Sequence, residues 1–529
     1  MLFNSYLFLF AFLPVALVGY ELVSKVNRKA VVVWLGLCSL AFYAWWQPSL
    51  LLILVGSITL NYLAAELIVR YGANRAVARR WLYVAIACNL LLLGYYKYLV
   101  PSLNAVSQMA GLHQHWGDIV LPLGISFFTL TQVAFLIDLY KGSAEQQGLS
   151  SYVLFVTFFP HLIAGPILHH REMMPQFQKE RFGVNQEDFA VGLTWFVMGL
   201  GKKVLIADTL AMTANPIFQA STRLPIGMAW LGALAFTLQL YFDFSGYSDM
   251  ALGLARMFSI DLPLNFNSPS KAASMIEVWQ RWHMTLGHYI FTYVYSPVQK
   301  RVLHRRYQRL GWAMARQERT KPVVFLSVVA LPLMFTMFLA GVWHGAGLHF
   351  MIFGLLHGFY LSVNHGWRQF RRTTTPGAAA VDRFLRLLRP GVRHVAAIGV
   401  TFLCNVVSLV FFRSDSLMRA LEMLGAMVGL NGTAPHGAFL NAGAIGVPVV
   451  ADAVKQVLAG LFIVWALPNT QQILTRFRPS LERGAWNQSD VPTIFRWAPT
   501  TAWAIGVGGL LFVCLVYLRA LSTFLYFQF

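Results

Sequence analysis

The sequence predicts an all-α polytopic membrane protein, and three observations predict it. Apolar residues make up 57% of the 529 residues and charged residues only 12%, where a soluble chain holds about 45–50% and about 25%. The mean hydropathy is +0.57. Apolar runs of about 20 residues, the length that crosses a bilayer core of about 30 Å, recur along the whole chain. No long polar stretch remains to build a soluble domain, so residues 1–529 read as a single transmembrane domain.

The opening MLFNSYLFLFAFLPVALVGY has no basic residue ahead of its apolar run, and its charges, Lys25, Arg28 and Lys29, come afterwards. That order marks a retained first span, near 3–22, with its N-terminus outside. Further spans are expected near 30–46, 50–69, 81–100, 118–140, 188–207, 226–257, 322–343, 347–364, 395–412, 451–467 and 500–519, about 11–12 transmembrane helices in all. Counted this way, the basic loops Lys25–Lys29, Arg70–Arg80, Lys300–Lys321, Arg368–Arg393 and Arg476–Arg496 all fall on the cytoplasmic side. The net charge of +20 thus sits beside membrane segments, where anionic lipid meets it. No soluble basic domain exists to hold a nucleic acid. The four cysteines, Cys38, Cys88, Cys404 and Cys514, lie far apart inside apolar runs and read as packing residues.

Two hydrophobic regions are interrupted and read as re-entrant segments. In Ser151–His170, Pro160, Gly165 and Pro166 break a helix around His161. The second, from about Asp261 to Val298, holds Asn265, Asn267, Trp279, Arg281, Trp282, His283 and His288. Irregular backbone at membrane depth survives where protein buries it or a wet cavity adjoins it, so these regions predict a central cavity or tunnel. Between them lies LYFDFSGYSDM, whose Asp243 and Asp249 need partners, with Arg281 a candidate. Lys202–Lys203, after a long apolar run, read as a pair snorkelling to an interface. Beyond Phe412, Ser416–Met427 has the spacing of an interfacial amphipathic helix, and Gly432, Pro435 and Gly437 follow it. Arg372–Ala380 reads as a flexible linker.

The sharpest interruption is Trp343-His344-Gly345-Ala346-Gly347, between two apolar runs. An imidazole there is costly to bury and carries protons near neutral pH, while the glycines leave room for a break or a close approach. A His that only ties two helices together is the plainer alternative. Trp279-Gln280-Arg281-Trp282-His283 is a second signal of the same kind. The sequence has no phosphate-binding loop, nucleophile elbow or zinc-binding helix motif. His344, His349 and His357 have no short ligand spacing, so no metal site is expected.

Four features together resemble the membrane-bound O-acyltransferases: Tyr241 to Met250 (YFDFSGYSDM), Asn265-Phe266-Asn267, Arg281-Trp282-His283, and Trp343-His344-Gly345 with His357-Gly358. Phe42 to Gln47 (FYAWWQ), Phe159 to Pro166 (FPHLIAGP) and the C-terminal FLYFQF are similar to the bacterial branch that acts on alginate and other exopolysaccharides. The resemblance implies a helical bundle around a tunnel in the inner (plasma) membrane. It implies His344 and His283 as catalytic residues; Asn267, Trp282 and Trp343, close to them in sequence, are expected to line the site. After His283 the chain departs from the Arg-Asp pair and Gly-Gly-Asn turn usual in relatives, reading LGHYIFTYVYSP. The resemblance therefore carries the reaction class rather than the identity of substrate or partner.

Acyl transfer to a hydroxyl needs a base for its proton and a donor for the developing oxyanion. A neutral imidazole serves as base, and burial favours the neutral form. His344 is assigned the base and His283 the orientation of the donor or stabilisation of the oxyanion. The expected donor is acetyl-CoA or another acyl thioester, with no bound cofactor. The expected partners are membrane lipid, a polysaccharide acceptor and a separate periplasmic acetyltransferase. D-alanyl transfer to a cell-wall polymer is the alternative chemistry. A transporter without chemistry is the alternative class, since broken helices around a cavity also build transporters.

Overall fold

A computed structural model describes residues 1–112, 116–117, 119–180, 182–220, 223–317, 321–373, 375–431, 446–447, 449–477, 480–481, 491–518 and 524–525. Among them the secondary structure is helical, apart from one isolated β-bridge between Phe266 and Trp282. Among the described residues, six helical runs are long and apolar enough to cross a membrane: Pro48–Arg70, Arg75–Met109, Gln186–Gln219, Ile226–Met257, Pro322–His344 and Pro390–Arg413. Other expected spans are helical but shorter, such as Arg28–Ala44, Ile125–Lys141 and Val450–Ala466, each of 17 residues. Leu348–Arg371 is long enough, at 24 residues, but carries more polar residues. The chain is an all-α polytopic membrane protein.

The described chain forms two compact units. The first comprises Met1–Leu205, Phe242–Leu264 and Pro468–Phe529. Its core is aromatic: Phe42 and Phe159 have ring centroids 5.6 Å apart, Phe159 and Phe258 5.8 Å, and Phe3 stacks on Tyr247 at 5.0 Å. After Leu149–Thr157 the backbone leaves the helix at Phe158, and residues 158–168 run as buried turns. Pro160 and Pro166 supply no N–H for a helical ladder, which is why the helix stops here. His161 and His170 are anchored on the backbone, their Nε2 atoms lying 3.1 Å from the carbonyl oxygens of Phe155 and Ser143 respectively.

The carboxylates of this unit correct one expectation. Asp243 pairs with Lys203 at 2.6 Å and accepts the Leu525 N–H at 2.9 Å. Asp249 pairs with Lys202 at 2.6 Å and accepts the Thr470 hydroxyl at 2.8 Å. Arg281 serves neither of them and instead pairs with Glu277, four residues earlier on its own helix, at 2.6 Å. Nor does Lys203 snorkel, since its side chain is 2% exposed. A carboxylate and an ammonium buried together offset part of each other's desolvation cost, and the further hydrogen bonds to Leu525 and Thr470 help to satisfy the carboxylates, so lysines that look like an interface pair lie inward.

The second unit comprises Ile206–Tyr241 and Asn265–Leu467. Its organising elements are α1 (Met275–Arg281), α2 (Met284–Ile290), α3 (Leu331–His344), α4 (Leu348–Arg371), α5 (Pro390–Arg413) and α6 (Leu417–Met427). Helices α3 and α4 approach at glycines. A Cβ on Gly354 would lie 2.2 Å from the Met337 carbonyl oxygen, and one on Gly341 2.3 Å from that of Phe350. Only glycine permits such contact. Helix α6 forms as its spacing predicts, capped by Ser416, with Met418 and Leu421 exposed and Ala420 and Met423 buried. The expected linker is corrected: Pro376 opens a helix, Pro376–Leu387, because its fixed φ suits a first helical position. Gly432, Pro435, Gly437 and residues Tyr526 to Phe529 lie outside the described residues.

Candidate functional site

The site grows from the stretch after Leu264. Asn265, Phe266 and Asn267 follow without forming a helix, and the chain returns past them through α1. Ser274 caps α1 by accepting the Glu277 N–H, and Glu277 accepts the Ala273 N–H in return, a reciprocal arrangement that fixes where the helix starts. At its end Trp282 bridges back to Phe266, their rings 5.0 Å apart and nearly perpendicular. The Met284 N–H then donates to the Asn265 carbonyl at 2.9 Å. His283, held between these two ties, takes a left-handed backbone with φ 43° and ψ 51°. A non-glycine residue pays for that conformation, on the order of 1–3 kcal/mol, and keeps it only where its surroundings over-determine it.

Asn265 also fixes the chemistry of the His283 ring. Its Oδ1 accepts the Thr285 N–H at 3.3 Å and the Thr285 hydroxyl at 2.9 Å, and lies 3.1 Å from His283 Nδ1. A backbone N–H can only donate, so this atom is the amide oxygen, and an oxygen so placed can only accept from Nδ1. His283 therefore carries a proton on Nδ1, and its Nε2 is an acceptor when the ring is neutral.

His344 is the last residue of α3, where the helix gives way to extended backbone at Gly345. Its ring packs against Trp343 and Phe412, both with centroids 4.9 Å away, and against Phe353 at 5.8 Å. Trp343 faces both histidines, its ring centroid also 6.5 Å from that of His283. His283 and His344 are 2% and 8% exposed.

Both histidines line one small buried cavity, together with Trp279, Trp282, His357 and Asn405 among others. Its free space of ≈ 20 Å³ holds on the order of one water molecule. Two expected residues are placed differently. Asn267 is outside the cavity wall, its N–H donating to the Arg281 carbonyl at 2.8 Å, and Trp343 stands beside the histidines without lining the cavity. Sequence reasoning assigned no role to Asn265, Trp279 or His357. The signal for Asn265 was its place in the Asn265-Phe266-Asn267 stretch, a polar residue inside an interrupted hydrophobic region. Among the described residues, no three His, Cys, Asp or Glu side chains gather where they could hold a metal ion.

Comparison with known proteins gives this arrangement a family. Residues 148–312, which include Asn265, Trp279 and His283, match the membrane-bound O-acyltransferase family. The chain is 39% identical over 460 residues to a peptidoglycan O-acetyltransferase of Helicobacter pylori, covering 82% of this chain and 80% of that one. It is 37% identical over 432 residues to a protein of Pseudomonas aeruginosa named probable alginate O-acetylase, covering 81% and 75%. It is 24% identical over 280 residues to a teichoic acid D-alanyltransferase of Lacticaseibacillus rhamnosus, covering 51% and 65%. The chain belongs to the membrane-bound O-acyltransferase family and is an O-acyltransferase.

Proposed function

We propose that this enzyme moves an acetyl group from an acyl thioester on the cytoplasmic side of the inner membrane toward hydroxyls of an exported polysaccharide. Acetyl-CoA is the simplest donor, and a periplasmic acetyltransferase is the expected relay where transfer is not direct. The observation that carries the proposal is the convergence of His344 and His283, from distant stretches of sequence, on one buried cavity. Such convergence is what acyl transfer between two substrates requires, because base and reacting carbon must be held within hydrogen-bonding reach.

His344 acts as general base, taking the proton of the acceptor hydroxyl as its oxygen attacks the thioester carbon. His283, whose Nδ1–H is committed to Asn265, offers Nε2 as an acceptor toward a second donor group of the bound substrates, the single proton of the attacking hydroxyl going to His344. Of the two parts expected of His283, orienting a substrate and stabilising the oxyanion, a neutral ring with its only N–H on Asn265 favours the first. Trp282 and Phe353 supply apolar walls that exclude water and so protect the thioester from hydrolysis. Acetyl rather than D-alanyl transfer is favoured by the relatives: the two O-acetyl relatives match at 39% and 37% over four-fifths of the chain, the D-alanyl relative at 24% over half of it.

The test is the acetyl content of the cell's exported polysaccharide in wild type and His344→Ala at matched protein level. Loss of acetyl groups with export intact supports the proposal. Retained acetylation refutes His344 as base, and loss of the polymer itself returns the transporter reading.

A further inference from the structure

Trp279 and His357 form a hydrogen bond that no other part of the reaction scheme uses. The indole Nε1–H of Trp279, on α1, donates to His357 Nδ1, on α4, at 3.3 Å, with the two rings perpendicular. An indole nitrogen can only donate, so His357 Nδ1 bears a lone pair. The ring is then neutral, and its one proton is on Nε2. His357 is 3% exposed, lines the same cavity as His283 and His344, and its Nε2 has no hydrogen-bond partner among the described residues. A buried N–H without a partner forfeits roughly 1–3 kcal/mol, and sites tolerate such a group when a ligand is to receive it.

His283 and His357 therefore hold opposite tautomers on one cavity. Asn265 makes His283 an acceptor toward the site, and Trp279 makes His357 a donor. Acyl transfer needs a proton acceptor, the part given to His344, and a hydrogen-bond donor for the oxyanion, which His283 in this tautomer does not supply. We propose that His357 Nε2–H is the hydrogen-bond donor that binds the thioester carbonyl oxygen and stabilises it as an oxyanion, with Trp279 as its positioning residue. The inference rests on the acyl-transfer reading above and adds to it the group that carries the developing charge.

The step balances as follows. The acceptor oxygen forms a bond to the carbonyl carbon, its proton passes to His344, and the C=O π pair moves onto oxygen. His357 donates a hydrogen bond to that oxygen and keeps its proton. When the C=O bond re-forms, the C–S bond breaks and the thiolate takes the proton from His344. A neutral imidazole suits this task, because it stabilises the oxyanion without surrendering a proton that would have to be recovered.

The experiment compares His357→Leu and His357→Gln with wild type and His344→Ala, in cells at matched protein level, reading the initial rate of acetylation of the exported polysaccharide. Thermal unfolding of each purified full chain is measured alongside. Leucine removes the donor, and the expected loss is ~100- to 1000-fold, as for removal of one oxyanion-hole donor elsewhere. Glutamine places an amide N–H near the position of Nε2, and is expected to keep the rate within ~10-fold of wild type. Retained acetylation in His357→Leu overturns the proposal, and so does a Gln variant that unfolds like wild type yet is as inactive as Leu, since then His357 is a base. Retained acetylation in His344→Ala instead overturns the acyl-transfer site itself, whatever the His357 variants do.

Discussion

Thr285 donates twice to the Oδ1 of Asn265, through its backbone N–H at 3.3 Å and its hydroxyl at 2.9 Å. This double contact makes the Asn265 amide a fixed acceptor, and it is the reason His283 has a defined tautomer. Replacing Asn265 with Leu removes the acceptor shared by the Thr285 N–H, the Thr285 hydroxyl and His283 Nδ1, at about 0.5–1.5 kcal/mol for each hydrogen bond lost. The expected result is a lowered unfolding temperature in detergent together with loss of polysaccharide acetylation. Asn265→Asp keeps the accepting oxygen and is expected to keep more of the stability. Equal loss in both variants would refute the acceptor role.

Trp279→Phe preserves an aromatic ring against His357 and removes only the N–H. One buried hydrogen bond is lost, about 0.5–1.5 kcal/mol of stability. Acetylation is expected to fall further than that loss of folded protein explains, because the His357 proton is no longer held on Nε2. In a His357→Gln background the same change is expected to add little to the rate effect. Simple additivity of the two substitutions would show that the residues do not act as a unit.

The Lys203–Asp243 pair, 2% and 3% exposed, is expected to behave as a buried ion pair rather than a surface one. Lys203→Met strands a carboxylate that also holds the Leu525 N–H, at a cost of about 3–5 kcal/mol. The double variant Lys203→Met, Asp243→Leu removes both charges and is expected to unfold at a higher temperature than Lys203→Met alone. If the double variant is the less stable of the two, electrostatics do not dominate this cluster.

Gly354 faces the Met337 carbonyl at a distance no side chain tolerates. Gly354→Ala is expected to force α3 and α4 apart, with an overpacking cost of about 1–3 kcal/mol. His344 sits on α3 and His357 on α4, so the acetylation rate is expected to fall with the stability. Gly366→Ala, whose added Cβ would meet only the Phe325 ring at 3.4 Å, is the control and is expected to leave both near wild type. Wild-type acetylation in Gly354→Ala would show that the two histidines need no fixed spacing.

The sequence by itself determined the class and the chemistry available. Apolar runs separated by basic loops admit only a membrane protein, because a backbone in lipid must satisfy its own hydrogen bonds and does so as helix. The interruptions at Pro160, at Asn265–His283 and at Trp343–Gly347 marked where irregular, buried backbone would lie, and His283 and His344 stood out because an imidazole in such a place is costly. Tertiary structure alone decided which groups meet. That Asn265 rather than Asn267 holds His283, that Asp243 and Asp249 take the lysines rather than Arg281, and that Trp279 reaches His357 all depend on contacts between residues far apart in sequence. Periodicity reports which face of an element is apolar. It is silent on which polar group lies across a cavity from another, and the tautomers of His283 and His357 are set by those partners.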